Sequence, residues 1–237
     1  MLESDWFRNI CIRNGFPIDE GKLRQFERYA AGLLNWNEKV NLISRGDIKN
    51  LWYKHFLGSV GFLFRFKVQN NSSMLDIGTG GGLPGIPLAI LHPEIEFTLI
   101  DSITKKITAV KSIVDELNLS NISVLCGRAE DLDRKKQHAG KFDYIISRAV
   151  APAYAVLQWS RPLIGNAGRT NSSVSDESGK KIIEKGSVLL LKGGNVNPEI
   201  DEVIIKMKPV NISINSILID GVDPKDFFDK KLIIINP

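Results

Sequence analysis

The chain has 237 residues, 43% of them hydrophobic and 24% charged. These are ordinary values for a soluble globular protein, at about the size where a single core stops growing. Aromatic and branched aliphatic residues are too plentiful for global disorder, and no apolar run approaches the ~20 residues that cross a bilayer. The acidic start Met1–Asp5 lacks the basic stretch of a secretory signal. Two cysteines, Cys11 and Cys126, give neither a disulfide framework nor zinc spacing. A cytoplasmic protein is expected, with Cys126, in an apolar run, as a small core residue. The net charge of +4 is unevenly spread. Residues 1–70 hold 11 Lys/Arg against 7 Asp/Glu, while the rest of the chain balances at 20 of each. A basic surface of this kind can attract nucleic acid by releasing condensed counterions.

In chain order, the first third reads as helices. Leu23, Phe26, Ala30, Leu33 and Leu34 follow a period of 3.6, as do Ile48, Leu51, Trp52, His55, Phe56 and Ser59. Between them lies an amide-dense stretch, Asn35–Leu42, and no strand pattern precedes residue 70. After Asn70-Asn71-Ser72-Ser73 the period changes. Strands are predicted at Met74–Ile77, Phe97–Ile100, Ile122–Leu125, Phe142–Ile146 and Val188–Leu191, and helices at Leu83–Leu91, Lys105–Leu117, Ala153–Leu163 and Pro198–Met207. The alternation predicts an α/β protein of parallel βαβ units with helices on both faces. The tail, Ile212–Ile219 and Lys231–Ile235 around the turn-rich Gly221–Asp229, reads as a closing antiparallel pair. Residues 165–186 are rich in Gly, Ser, Asn and charge and read as an inserted surface loop. The expected division is a helical extension over 1–70 and a catalytic-type α/β domain over 71–237.

The stretch Met74–Gly82 carries the most chemistry. An apolar strand ends near an acid, Asp76, and glycines then fall at 78, 80 and 82 before a helix. Glycine there permits positive φ and close approach of a ligand to the backbone. The alternative is a tight strand-to-helix turn with no ligand. Leu83 breaks the dinucleotide fingerprint, and a pyrophosphate gains nothing from a carboxylate inside the strand. A sulfonium cofactor with an ammonium group can accept one, so the expected cofactor is S-adenosyl-L-methionine, with no metal. Asp101 ends the next strand, where a carboxylate can take both ribose hydroxyls. Ala129, Glu130 and Asp131 follow the third strand; they either meet an adenine edge or cap a short helical turn.

The residues after the fourth strand, Ser147-Arg148-Ala149-Val150-Ala151-Pro152, bear on which atom would be methylated. Exocyclic amino methylation commonly uses an Asn/Asp-Pro-Pro-aromatic turn, which this is not. Carbon-5 methylation needs a nucleophilic Cys in such a loop, and neither cysteine is there. Ribose methylation needs a base set; Asp143 and Lys192 are present, but Asp143 stands at the start of its strand. A ring nitrogen with an exposed lone pair needs no base, only positioning and desolvation. Arg148 would hold a phosphate or orient the base, or else form a surface ion pair. His55, on an apolar helix face, is either a core histidine or a catalytic group.

The run Asp76–Pro87 (DIGTGGGLPGIP), with Leu99-Ile100-Asp101-Ser102, Phe142-Asp143 and Ser147-Arg148-Ala149, resembles the bacterial ribosomal RNA small subunit methyltransferase G family, also called glucose-inhibited division protein B. Trp36–Leu42, His55–Ser59 and Leu191-Lys192-Gly193 extend the resemblance over nearly the whole chain. It implies a Rossmann-like class I S-adenosylmethionine-dependent methyltransferase fold, a mostly parallel seven-stranded sheet with an antiparallel last strand. It also implies a monomer that methylates N7 of a guanine in 16S ribosomal RNA, near the decoding centre of the small subunit. Carried over residue by residue, it places cofactor contacts on Gly78, Leu83, Ala129, Glu130 and Arg148, to which the fold argument adds Asp76, Gly80 and Asp101. Arg148, Asn41 and His55 stand as candidate catalytic residues. Two departures are the Gly58 that stands where the family usually has Asp, and the long 165–186 insertion. A small-molecule methyltransferase and a non-catalytic RNA-binding module remain as alternatives.

Overall fold

The computed structural model describes residues 2–132, 138–165, 175–207, 211–227 and 229–237. Helix α1 (Glu3–Arg13) and helix α2 (Glu20–Asn37) open the chain. α2 starts where the Asp19 carboxylate accepts the Lys22 amide at 2.8 Å, which satisfies a donor the helix itself cannot. Its 3.6-residue apolar face buries Leu23, Phe26, Tyr29, Ala30 and Leu33. A 3-10 turn (Ile48–Asn50), a π-helical stretch (Leu51–Leu57), a short α3 (Gly58–Val60) and a second 3-10 turn (Gly61–Phe64) follow. The rings of Tyr29 and Phe56 stack at 5.1 Å, which ties this irregular segment to α2.

The rest alternates as the sequence predicts: β1 (Phe66–Lys67), β2 (Ser73–Ile77), α4 (Gly85–Leu91), β3 (Glu96–Asp101), α5 (Thr104–Leu117), β4 (Ile122–Cys126), α6 (Ala129–Leu132), β5 (Tyr144–Arg148), α7 (Ala153–Ser160), β6 (Lys181–Ile182), β7 (Ser187–Lys192), α8 (Asn197–Met207), β8 (Asn211–Ser216), α9 (Pro224–Phe227) and β9 (Lys231–Asn236). Seven strands form the main sheet in the order β4-β3-β2-β5-β7-β9-β8. Every pairing is parallel except those of β9, which runs antiparallel to both β7 and β8. From β2 the chain winds outward one way through β3 and β4, then returns to β5 and winds the other way. The switch point therefore lies between β2 and β5, and a crevice opens beyond their carboxyl ends.

Each face of the sheet has its own core. On one, Phe7, Phe26 and Phe56 of the N-terminal helices pack with Leu99 and Ile113; on the other, Leu75, Ile77 and Ile145 pack with Val156 and Val203. Burying side chains of this size contributes about 1.5–3 kcal/mol each. The N-terminal helices thus close one face of the sheet, and Tyr29 of α2 reaches the glycine loop itself, donating its hydroxyl to Gly81 O at 2.9 Å.

The structure corrects several expectations. A short strand, β1, does precede residue 70, and it pairs in parallel with β6, inside the segment read as a loop. Lys180, next to β6, lies over the Phe16 ring at 4.6 Å, so this part of the insertion is docked on the helices; residues 166–174 lie outside the described residues. The predicted strand Phe142–Ile146 begins only at Tyr144, because Asp143 turns to the Ser73 amide. The predicted Ile212–Ile219 strand stops at Ser216, and Ile217 and Ile219 instead approach Gly61. Cys126 is exposed, since it ends the outermost strand of the sheet; Cys11 is the buried one. Among the described residues no helix is long and apolar enough to cross a membrane.

Candidate functional site

The loop after β2 is clamped to the end of β3. The Gly78 and Thr79 amides both donate to Ile100 O, at 2.9 and 3.0 Å. The Gly80 amide donates to Asp101 Oδ2 at 3.1 Å, and the Ile103 amide to Oδ1 at 2.9 Å. Gly78 and Gly80 hold φ of +71° and +59°, where a Cβ is penalised. At Gly78 there is also no room: a Cβ would stand 2.3 Å from Val150 Cγ2. Asp76 sits behind the loop, fully buried, with Oδ2 accepting from Thr79 Oγ1 (2.7 Å) and the Gly85 amide (3.0 Å). Its Oδ1 is buried and has no hydrogen-bond partner among the described residues. Burial lifts its pKa to about 6, against the lowering effect of those two hydrogen bonds.

Two cavities flank the turn that follows β5. The smaller, about 210 Å³, is walled by Gly78, Asp101, Gly127, Ala129, Glu130 and Val150. It brings together four of the expected cofactor residues: Gly78, Asp101, Ala129 and Glu130. Glu130 and Asp131 do begin a helical turn, α6, as the alternative reading held, yet Glu130 also faces the cavity. Leu83 is buried in the core and Gly80 reaches the cavity only through Asp101. Asp76 lines neither cavity. The donor set fits S-adenosyl-L-methionine. Each Asp101 oxygen receives one amide and keeps a lone pair for a ribose hydroxyl, and apolar Ile77, Ile100 and Trp159 suit an adenine face.

The larger cavity, about 450 Å³, is lined by His55, Gly58, Arg148, Ala149, Lys192 and Asp226 among others. Ala149, at φ +54°, turns the chain so that Arg148 faces one cavity and Val150 the other. Arg148 is half-buried and not a surface ion pair: its Nη2 lies 2.8 Å from His55 Nδ1. An arginine can only donate, so Nδ1 accepts and the ring proton sits on Nε2, which is buried with no partner among the described residues. Burial, then the Arg148 charge, pull the His55 pKa down to about 4. The ring is neutral and committed. Burial also lowers the Arg148 pKa, opposed first by Tyr29 and then by the nearby carboxylates of Asp76 and Asp47. A Cβ at Gly58 would meet open space.

Asn41 is exposed, one residue before Leu42, whose Cβ would lie 3.2 Å from a Cβ at Gly81. The amide with a fixed job there is Asn37, which the sequence reading did not single out. Its Oδ1 accepts from the Leu42 and Ile43 amides, at 2.8 and 2.9 Å, and so shapes the loop against Gly81. Asp143 and Lys192 lie at opposite ends of the sheet. Asp143 holds the Ser73 amide and Lys185, while Lys192 is taken by Glu199 at 2.8 Å and Ala151 O at 2.7 Å. They form no joint base set. Tyr53, Val150 and Asp226 also line the cavities; only their three-dimensional positions reveal them.

His55 and Asp76 respond to pH in opposite senses. His55 is depressed in the fold, so its contribution to stability is present above about pH 6.5 and is lost as pH falls towards 4. Asp76 is raised, so its contribution is present below the ordinary carboxylate range and is lost as pH rises through about 6. A His55→Gln protein is therefore expected to lose less stability than wild type between pH 7 and 4.5 in urea titrations. Parallel curves would contradict the buried, neutral ring.

A sheet of this order, with a glycine loop beyond its first central strand and an acid closing the next, defines the S-adenosylmethionine-dependent methyltransferase fold. Solved structures agree. A methyltransferase from Aquifex aeolicus described as SAM-dependent superposes with a TM-score of 0.53 at 13% identity, covering 82% of this chain and all of that one. An Aeropyrum pernix fibrillarin with natively bound S-adenosyl-L-methionine gives 0.52 at 13% identity, covering 76% of each chain. At such identities the likeness shows the fold. Sequence comparison goes further. Residues 22–172 match the family model described as rRNA small subunit methyltransferase G. The proteins of that name from Flavobacterium johnsoniae (39% identical, 79% of this chain and 81% of that one) and Chlorobaculum tepidum (35%, 95% and 94%) are similar along most of the chain. The chain belongs to the ribosomal RNA small subunit methyltransferase G family.

Proposed function

We propose that the protein transfers a methyl group from S-adenosyl-L-methionine to N7 of a guanine in bacterial 16S ribosomal RNA, near the decoding centre, as a cytoplasmic monomer. Family membership supports a ribosomal RNA methyltransferase. The observation that carries the finer reading is the pair of cavities divided by the Arg148–Val150 turn, beside which His55 and Lys192 are both already engaged. His55 is neutral, and its one acceptor nitrogen is occupied by Arg148. Lys192 is tied to Glu199. An acceptor that must lose a proton is poorly served here, whereas guanine N7 carries none. When bound, S-adenosyl-L-methionine supplies an electrophilic methyl group. The protein's part is then positioning and desolvation. Asp101 holds the ribose, Gly78 admits the cofactor against the backbone, and Arg148 orients the base by donating from its guanidinium to O6, which leaves the N7 lone pair free to attack the methyl carbon.

An N7-methylated guanine is cationic, and its imidazole ring opens under reduction. Unmethylated small subunits treated with enzyme and cofactor are expected to yield 16S RNA with a single new site cleaved by borohydride and aniline. Label in a chemically stable nucleoside, such as a 2′-O-methyl ribose, would overturn the N7 reading while leaving fold and cofactor intact.

The RNA-facing surface is expected in residues 1–70, with Arg24, Arg28, Lys39, Arg45 and Lys54 as candidate phosphate contacts. Three of these have internal partners: Arg28 donates to Glu116 O, Lys54 pairs with Asp47 at 2.9 Å, and Lys39 lies over the Trp36 ring at 5.4 Å. Arg24, Lys39 and Arg45 are exposed. Replacing those three with alanine is expected to lower the slope of log affinity against log salt by about 2 to 3, at roughly 0.7–0.9 per lost phosphate contact. Charge reversal at Lys180 and Lys181 should change it less. Equal slopes for wild type and the triple variant would exclude this surface.

A further inference from the structure

The larger cavity contains a carboxylate that the reaction proposed above leaves unused. Asp226, in α9, accepts the Tyr53 hydroxyl on Oδ2 at 2.6 Å. Among the described residues nothing donates to its Oδ1. The other cavity carboxylate, Asp47, is filled: Lys54 donates to Oδ1 at 2.9 Å and Ser44 to Oδ2 at 2.7 Å. Burial, then the hydrogen bond to Asp226, push the Tyr53 pKa well up, so its phenol stays a donor and Asp226 is held as an acceptor. Tyr53 and His55 are two residues apart on the π-helical stretch and project from different sides of it. Arg148, held by His55, and Asp226, held by Tyr53, therefore stand at separate parts of one cavity.

That arrangement matches the two polar edges of guanine. One edge carries the N7 and O6 acceptors, and the opposite edge carries the N1–H and N2–H donors. With N7 turned to the Arg148 wall, which adjoins the cofactor cavity, the donors point away from that wall. Adenine presents an N1 lone pair at the same place, which a carboxylate repels. Ile217 and Phe227 offer apolar surface for the ring. We propose that Asp226, positioned by Tyr53, accepts hydrogen bonds from the Watson–Crick edge of the flipped guanine and makes the cavity select guanine over adenine. The proposal rests on the guanine-N7 reading above. Enzymes that act on a base commonly read its Watson–Crick edge after flipping it.

The test uses the full chain and unmethylated small subunits carrying either guanine or adenine at the target position. Asp226→Asn is expected to lower kcat/KM on guanine subunits about 10- to 100-fold, the range for losing a hydrogen bond to a charged group, and to lower the guanine-over-adenine ratio by a similar factor. Affinity for S-adenosylhomocysteine should stay unchanged. Tyr53→Phe, which keeps the ring and its packing, is expected to lower the same ratio less, a readout that a merely structural loss does not move. An unchanged ratio in Asp226→Asn, with wild type producing 7-methylguanosine, overturns the role of Asp226 and spares the proposed reaction. If wild type instead methylates another atom, or if Asp226→Asn is inactive on both subunits, binding of guanosine and adenosine monophosphates decides. A wild-type preference for the guanine nucleotide that Asp226→Asn lacks supports the proposal; equal preferences overturn it.

Discussion

A Gly78→Val protein is expected to bind S-adenosylhomocysteine more than 100-fold more weakly than wild type, with no binding detectable by calorimetry at micromolar concentrations. Two physical effects add. At φ +71° a β-branched residue is strained, at about 1–3 kcal/mol. The new Cβ would also fall 2.3 Å from Val150 Cγ2 and 2.7 Å from Val150 Cβ, so the loop or the turn after β5 must move. Either movement deforms the cavity between Gly78 and Asp101. The fold should survive, because the strain is confined to a loop beyond the sheet, but with a lower midpoint of thermal unfolding. A Val150→Gly background removes the atoms in the way. The double variant should therefore recover part of the lost thermal stability without recovering cofactor affinity, since the added side chain still lines the pocket. Wild-type affinity in Gly78→Val would mean that the cofactor does not approach this loop.

Much of this cofactor loop was legible in the chain. An apolar strand followed by glycines at alternate positions admits few structures, and Gly78, Gly80 and Gly82 all take positive φ. The strand–helix alternation was equally readable, because β2, β5 and β7 are buried on both faces and so appear as unbroken apolar runs. The same double burial hid the role of Asp76. A half-exposed strand reveals by alternation which way a side chain points; a fully buried one does not. The structure turns Asp76 to Thr79 and the Gly85 amide. What decides strand order is also non-local. Nothing in Lys231–Asn236 itself indicates that it inserts between β7 and β8.

The larger cavity was less legible, for a related reason. Its cavity is assembled from the π-helical stretch, the end of β5, the end of β7 and α9, which are far apart in sequence. Asp226 lies in a segment with the composition of a turn, and Tyr53 lies off the apolar face of Ile48, Leu51, Trp52, His55, Phe56 and Ser59 that the 3.6-residue period picks out. Their hydrogen bond spans 173 positions of sequence. The amide-rich stretch drew attention to Asn41, but the loop is shaped by Asn37, whose oxygen serves two amides at once.

Arg148→Ala is expected to lower turnover on small subunits by about 100-fold or more while changing S-adenosylhomocysteine affinity less than about fivefold. The division follows from where the side chain stands. Arg148 lines the larger cavity and Val150 the smaller one, so truncating Arg148 leaves the walls around Asp101 in place. It removes the group that would orient the base, and a misplacement of about 1 Å can cost on the order of 100-fold. Arg148→Lys keeps the charge but not the planar set of donors that can hold His55 Nδ1 and the base O6 together, so it should recover only a fraction of the loss. A second signal accompanies the first. With the guanidinium gone, His55 loses the nearest cation, and its pKa should rise from about 4 towards the ordinary histidine range, visible in the ring proton shifts on titration. Folding stability should fall by about 1.5–3 kcal/mol, the range for a lost hydrogen bond to a charged group. If the His55 shift appears and turnover nonetheless stays at the wild-type rate, Arg148 serves only to pack and polarise the histidine, and another group in the larger cavity orients the base.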